Sequence, residues 1–109
     1  MKLKLTLNAS EKLRELNKGK YHYLVLWYDI EGCGCGVNGV NRIIFSNDVK
    51  DTYRKVDSSS TEFSIWVPEQ QAIFFSEELA LDFKNSMFRL SSAGEILNAF
   101  ISPRSLFHE

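Results

Sequence analysis

Tyr21-His22-Tyr23-Leu24-Val25-Leu26-Trp27-Tyr28-Asp29-Ile30 runs directly into Glu31-Gly32-Cys33-Gly34-Cys35-Gly36-Val37-Asn38-Gly39. Both alternate faces of the first stretch are apolar or aromatic, which predicts a central strand covered on both sides. The second stretch places four glycines and two cysteines within residues 32–39, ahead of a further strand expected at 42–45. Glycine reaches positive φ without steric cost and lets the backbone approach a ligand or another chain closely. It also loses the most conformational entropy on folding, so its concentration between two strong strands calls for a reason. The competing reading is a wide strand connection carrying two inert thiols, since small buried cysteines are common.

Upstream, Leu3, Leu5 and Leu7 alternate with Lys4 and Thr6, the pattern of a half-buried strand. Asn8 stands where a helix N-cap is expected, with Glu11 in the reciprocal capping position. Leu13 and Leu16 share one face and Gly19 follows as a terminator, predicting a helix over 9–17. Downstream, Ser46-Asn47-Asp48 reads as a turn and residues 49–56 as an exposed strand. Phe63-Ser64-Ile65-Trp66-Val67 alternates and stops at Pro68, while 69–76 fits either a helical turn or a strand. Residues 79–83 and 87–90 read as two strands joined around Lys84-Asn85-Ser86 in a hairpin, and 95–101 as a last apolar segment. Repeated short strands with one N-terminal helix predict a mainly β (α+β) chain, with residues 1–109 forming one domain.

Composition bounds the function classes. The chain has 109 residues, a hydrophobic fraction of 44%, and eight Phe, four Tyr and two Trp, enough bulk for a core. A formal charge of −1 argues against bulk capture of nucleic acid or acidic membrane. No apolar run approaches the roughly 20 residues that span a bilayer. The alternating N-terminus lacks the apolar block of a secretion signal, so a cytoplasmic location is expected. On that reading the glycosylation-like Asn8-Ala9-Ser10 is a chance match.

Cys33 and Cys35 are the only cysteines. A disulfide between them would close a tiny ring with little entropic gain and a risk of strain. As thiolates, favoured by backbone N–H groups of a glycine-rich turn, they suit iron–sulfur clusters or zinc. Such centres normally take four ligands, and one chain supplies two; a symmetric dimer would supply four. Asp29, Glu31 or His22 could contribute instead. Gly34-x-Gly36-x-x-Gly39 has the spacing of a dinucleotide fingerprint, but a strand follows where that motif needs a helix.

The order of these elements resembles the HesB-like (A-type iron–sulfur carrier) superfamily over nearly the whole chain. The resemblance rests on the long strand entering the Gly-Cys-Gly loop and on the later segment with Pro68 and Phe74-Phe75. Leu81-Asp82-Phe83, Phe88 and Leu90 extend it. Asp29-Ile30-Glu31-Gly32-Cys33-Gly34-Cys35-Gly36 and Gly94-Glu95-Ile96-Leu97-Asn98 are most similar to its short Gram-positive-type branch. The resemblance implies a β-sandwich of short mixed strands with one helix. It also implies a non-enzymatic accessory role in iron–sulfur cluster biogenesis, binding iron or a cluster with assembly or recipient proteins as partners. Cys33 matches the family's middle-loop cysteine, with Cys35 the alternative. The family's C-terminal Cys-x-Cys has no counterpart, since residues 101–109 contain no cysteine.

Two further readings compete: a metal-free scaffold that keeps the fold, and an enzyme using Cys-x-Cys for thiol–disulfide exchange. His22, inside an apolar strand, is expected to be packed or hydrogen-bonded rather than a ligand, and His108 to be frayed. Glu77-Glu78 reads as a solvated turn, and Trp27 and Trp66 as core or interface aromatics. Asp82 is expected to serve structure, with a hydrogen-bond donor if buried.

Overall fold

The computed structural model describes residues 1–30, 39–59 and 62–107. Among these are eight strands: β1 (Lys2–Leu5), β2 (Tyr23–Asp29), β3 (Val40–Ser46), β4 (Tyr53–Ser58), β5 (Ser64–Pro68), β6 (Glu78–Lys84), β7 (Met87–Ser92) and β8 (Ile96–Ile101). One α-helix, α1 (Leu7–Asn17), follows β1, and two 3-10 turns lie at Glu69–Phe74 and Pro103–Leu106. The sheet order is β3-β2-β5-β4-β1-β6-β7-β8, so parallel and antiparallel neighbours are mixed. The mainly β architecture with one N-terminal helix agrees with the sequence reading. Its two layers are halves of one continuous sheet, joined where Lys2 and Leu3 pair with Asp57 and Ser58.

The core lies between the halves. Leu24, Leu26, Ile43, Ile65 and Val67 meet Leu3, Leu79, Leu81, Phe88 and Leu90, and α1 adds Ala9 and Leu13. The spacing of Ala9, Leu13 and Asn17 at four-residue intervals puts one helical stripe inward. Asn17 satisfies its buried amide by exchanging two hydrogen bonds with the backbone of Tyr21, at 2.8 and 3.0 Å. That exchange ties the helix end to the approach to β2.

The helix begins earlier than expected. Thr6, rather than Asn8, is the N-cap: its Oγ1 accepts from the Ala9 N–H at 3.1 Å. The same hydroxyl donates to Asp82 Oδ1 at 2.8 Å, so a tertiary contact selects between the two candidate caps. At the far end Lys18 (φ 52°) and Gly19 (φ 76°) both take left-handed conformations that stop the helix.

The strand expected over 49–56 is shorter, Tyr53–Ser58. β3 ends opposite the start of β2, whereas β4 starts opposite the end of β5, and β2 and β5 lie between them. Residues 47–52 therefore have to cross a face of the sheet as connecting chain rather than extend β4. Residues 69–76, undecided from sequence, contain the first 3-10 turn. The β6–β7 hairpin turns at Asn85 and Ser86, both at positive φ, as a tight two-residue connection demands.

β3 and β8 end the sheet and meet without a ladder of paired strands among the described residues. Their seam is bridged by a side chain: Asn98 Nδ2 donates to the Asn41 carbonyl at 2.7 Å. No helix among the described residues is long and apolar enough to cross a membrane.

Candidate metal-binding loop and its frame

Cys33 and Cys35 both fall in the β2–β3 connection, and residues 31–38, Glu31 included, lie outside the described residues. Its two ends are described, and side chains from four segments hold them.

On β2, the last residue Asp29 pairs with Val40 of β3. Asp29 Oδ2 accepts from Arg42 Nη1 at 2.9 Å, both side chains being about one-quarter exposed. Arg42 Nη2 also donates to the Ser105 carbonyl at 2.9 Å, joining the loop's exit to the C-terminal 3-10 turn. One guanidinium thus serves both a carboxylate and a turn carbonyl, a use suited to its planar, forked donors.

Tyr28 forms a second support. Its hydroxyl accepts from the Gly39 N–H at 2.8 Å, and its ring stacks on Phe74 at 3.9 Å and 5°. Gly39 is sterically required. A Cβ there would stand 2.7 Å from the Asp29 carbonyl oxygen and 2.8 Å from Tyr28 Cε2.

Beyond Val25, β2 loses its parallel partner, because its pairing with β5 ends at Val25 opposite Trp66. The Gln71 side chain takes that place: its Oε1 accepts from the Tyr28 N–H at 2.8 Å and its Nε2 donates to the Tyr28 carbonyl at 3.2 Å. A side-chain amide carries one acceptor and a donor pair, so it can substitute for a missing strand. Asn41 closes the frame. Its Nδ2 donates to the Phe74 carbonyl at 3.0 Å, while its own carbonyl receives Asn98 Nδ2.

Other residues singled out by sequence are placed elsewhere. His22, expected to be packed or hydrogen-bonded within an apolar strand, is exposed and precedes β2; its ring makes an edge contact with Tyr23. It stands at the start of β2, with the loop at the other end, so β2 separates the two. Glu77 and Glu78 are exposed. Asp82 is structural as expected, its Oδ1 receiving both Thr6 Oγ1 and the Phe83 N–H. Trp27 and Trp66 are half-buried, and the buried Trp66 indole N–H has no hydrogen-bond partner among the described residues. Burial, reinforced by the Asp48 carboxylate, holds the Tyr53 phenol above its ordinary pKa. Among the described residues no group of three or more His, Cys, Asp or Glu is gathered as a metal site. His108 also lies outside the described residues.

Sequence reasoning did not find Gln71, Asn98 or the Arg42 bridge. One signal was available: Asn41 precedes Ile43 and Phe45 at two-residue spacing, so a polar side chain occupies a core-facing position.

Residues 1–102 match the family model for iron-sulphur cluster biosynthesis. The uncharacterized protein YqkB of Bacillus subtilis (strain 168) is 29% identical over 98 residues, 88% of this chain and 84% of that protein. Two crystal structures share the fold. One, of a protein from Lactobacillus acidophilus proposed to act in Fe-S biosynthesis, superposes with a TM-score of 0.73 at 18% identity, covering 97% of this chain and 93% of that one. The other, so described from Lactobacillus salivarius and reported as a novel fold, gives 0.71 at 20% identity over 94% and 95%.

Proposed function

Because this chain belongs to the iron-sulphur cluster biosynthesis family, we propose that it is a non-enzymatic accessory protein of that process, holding iron or a cluster through Cys33 and Cys35. The family match over residues 1–102 carries the reading. The cysteines are two soft donors in a glycine-rich connection, the chemistry that iron and sulfide select. Four ligands require two chains, one loop from each. The frame of Asp29, Arg42, Tyr28 and Gln71 supports the reading by securing both ends of the connection, so that ligand placement does not depend on the loop alone. The cargo is received from or passed to assembly or recipient proteins in the cytoplasm.

A metal-free scaffold is the second reading. It draws on residues 101–109, which hold no cysteine and instead place Ile101 and Leu106 in the core.

Anaerobic reconstitution with iron and sulfide separates the two. The proposal expects visible thiolate-to-iron absorbance in the wild type, abolished in Cys33→Ser/Cys35→Ser. A colourless wild-type product would leave the scaffold reading standing.

A further inference from the structure

The face of β2 turned away from the core is aromatic where a half-buried sheet is usually polar. Leu24 and Leu26 belong to the core, so Val25 between them, and Ile44 paired with it, face the other way. Both are nevertheless nearly closed to solvent, at 4% and 7% exposed. Tyr23 and Trp27 flank Val25 on that face at two-residue spacing, and Trp66 stands beside it on β5. Tyr53 of β4 shares the face, because it pairs with Pro68, two residues beyond Trp66.

A cavity of about 370 Å³ lies on this surface, lined by Val25 and Ile44 from the sheet and by Tyr21, Trp27, Asn47 and Tyr53 around them. That is room for a small ligand, and an apolar cavity with a few polar groups is the usual form of such a site. Asn47 and Tyr53 stand at the two ends of the crossing chain, so residues 47–52 border the cavity.

Charge decides what fits. No charged residue is among the described residues that line the cavity. The charge that acts on its Tyr53 phenol is the carboxylate of Asp48, which together with burial makes a second negative charge there unfavourable. The same field favours a positive charge in the cavity and opposes an anion. Aromatic faces attract cations as well, and the apolar walls disfavour a compact, strongly hydrated ammonium. A cation wrapped in alkyl groups meets both conditions.

We propose that this cavity binds a small quaternary ammonium compound, its charge held by the rings of Trp27 and Tyr53 and its alkyl groups over Val25 and Ile44. The site stands apart from the cysteines and needs no metal.

Choline titrated into reduced, metal-free full-length protein tests the proposal, with the indole N–H signals followed by NMR. The Trp27 signal is expected to shift saturably, and the signal of Trp66, which does not line the cavity, to move less. Tyr53→Leu and Asp48→Asn should each weaken binding at least about threefold. Asp48 is exposed, so its variant keeps the test sound even if Tyr53→Leu fails to fold. The uncharged isostere 3,3-dimethylbutan-1-ol should bind at least about fivefold more weakly than choline. Glu11→Gln, which removes the same charge from an exposed site on α1, leaves choline binding unchanged. A Trp27 signal that does not move, shifts that both indoles share equally, or binding that the isostere or Asp48→Asn reproduces in full overturns the proposal.

Discussion

Arg42 and Asp29 meet at 2.9 Å across the base of the β2–β3 connection, and the same guanidinium reaches the carbonyl of Ser105. A single side chain, from the third residue of β3, therefore links the last residue of β2 to the C-terminal 3-10 turn. Removing it leaves a part-buried carboxylate and a carbonyl without this donor. Arg42→Met is expected to lower unfolding free energy by about 1–2 kcal/mol. Arg42→Lys should recover only part of that loss, because an ammonium lacks the fork that reaches both partners. Urea denaturation of the two variants checks this; equal stability of wild type and Arg42→Met would show the bridge to be idle.

Gly39 and Gly94 offer a matched comparison. A Cβ at Gly39 would overlap the Asp29 carbonyl and the Tyr28 ring, whereas one at Gly94 meets nothing within 4 Å. Gly39→Ala should destabilise by about 1–3 kcal/mol, and Gly94→Ala should stay within about 0.5 kcal/mol of wild type. Thermal melts of both proteins, side by side, give the answer. Similar shifts would mean that the close approach at Gly39 relaxes freely.

Gln71 replaces a strand for Tyr28, so its loss should appear in the backbone it pairs. Gln71→Met keeps the length but removes both hydrogen bonds, with an expected cost of about 1–2 kcal/mol. Amide exchange at Tyr28 should accelerate more than at Leu24, which lies within the β2–β5 pairing. Unchanged protection at Tyr28 would contradict the assigned role.

Tyr53 gives the pH prediction. Burial first, and the Asp48 carboxylate second, raise its phenol pKa above the ordinary 10.0. The folded state therefore holds this proton more tightly than the unfolded chain. Its contribution is fully present below the ordinary value and is lost as pH rises through the raised one. Tyr53→Phe should flatten that part of the alkaline stability curve. If the wild-type and Tyr53→Phe curves fall together, other groups govern the alkaline limb.

The legible parts of the fold were those set by local pattern. The two-sided apolar run around Leu24, Val25 and Leu26 announced a covered strand, and Pro68 marked the end of another. The positions of Asn85 and Ser86 within the hairpin were equally readable. What escaped depended on distant partners. Thr6 and Asn8 are both acceptable caps, and the choice falls to Thr6 through Asp82, 76 residues away. The short β4 follows from the crossing that residues 47–52 have to make, a fact of strand order invisible in their own alternation.

The site divides in the same way. Cys33 and Cys35 could be nominated from spacing alone, because glycine density and thiol chemistry are local properties. The frame could not: Gln71 acts on a residue 43 positions away and Asn98 on one 57 positions away. Single polar residues on turns and edge strands carry no pattern that names such partners. His22 shows the reverse case: an apolar neighbourhood in sequence placed it inside the strand, packed or hydrogen-bonded, whereas it stands exposed ahead of β2 with its ring edge-on to Tyr23.

The central claim is that the paired thiols hold iron. Iron and acid-labile sulfide, measured in full-length protein purified without exposure to air and compared with Cys33→Ser/Cys35→Ser prepared identically, test it most directly. The account predicts iron in the wild type and only background in the double variant. Equal iron in both, or none in either, would contradict it.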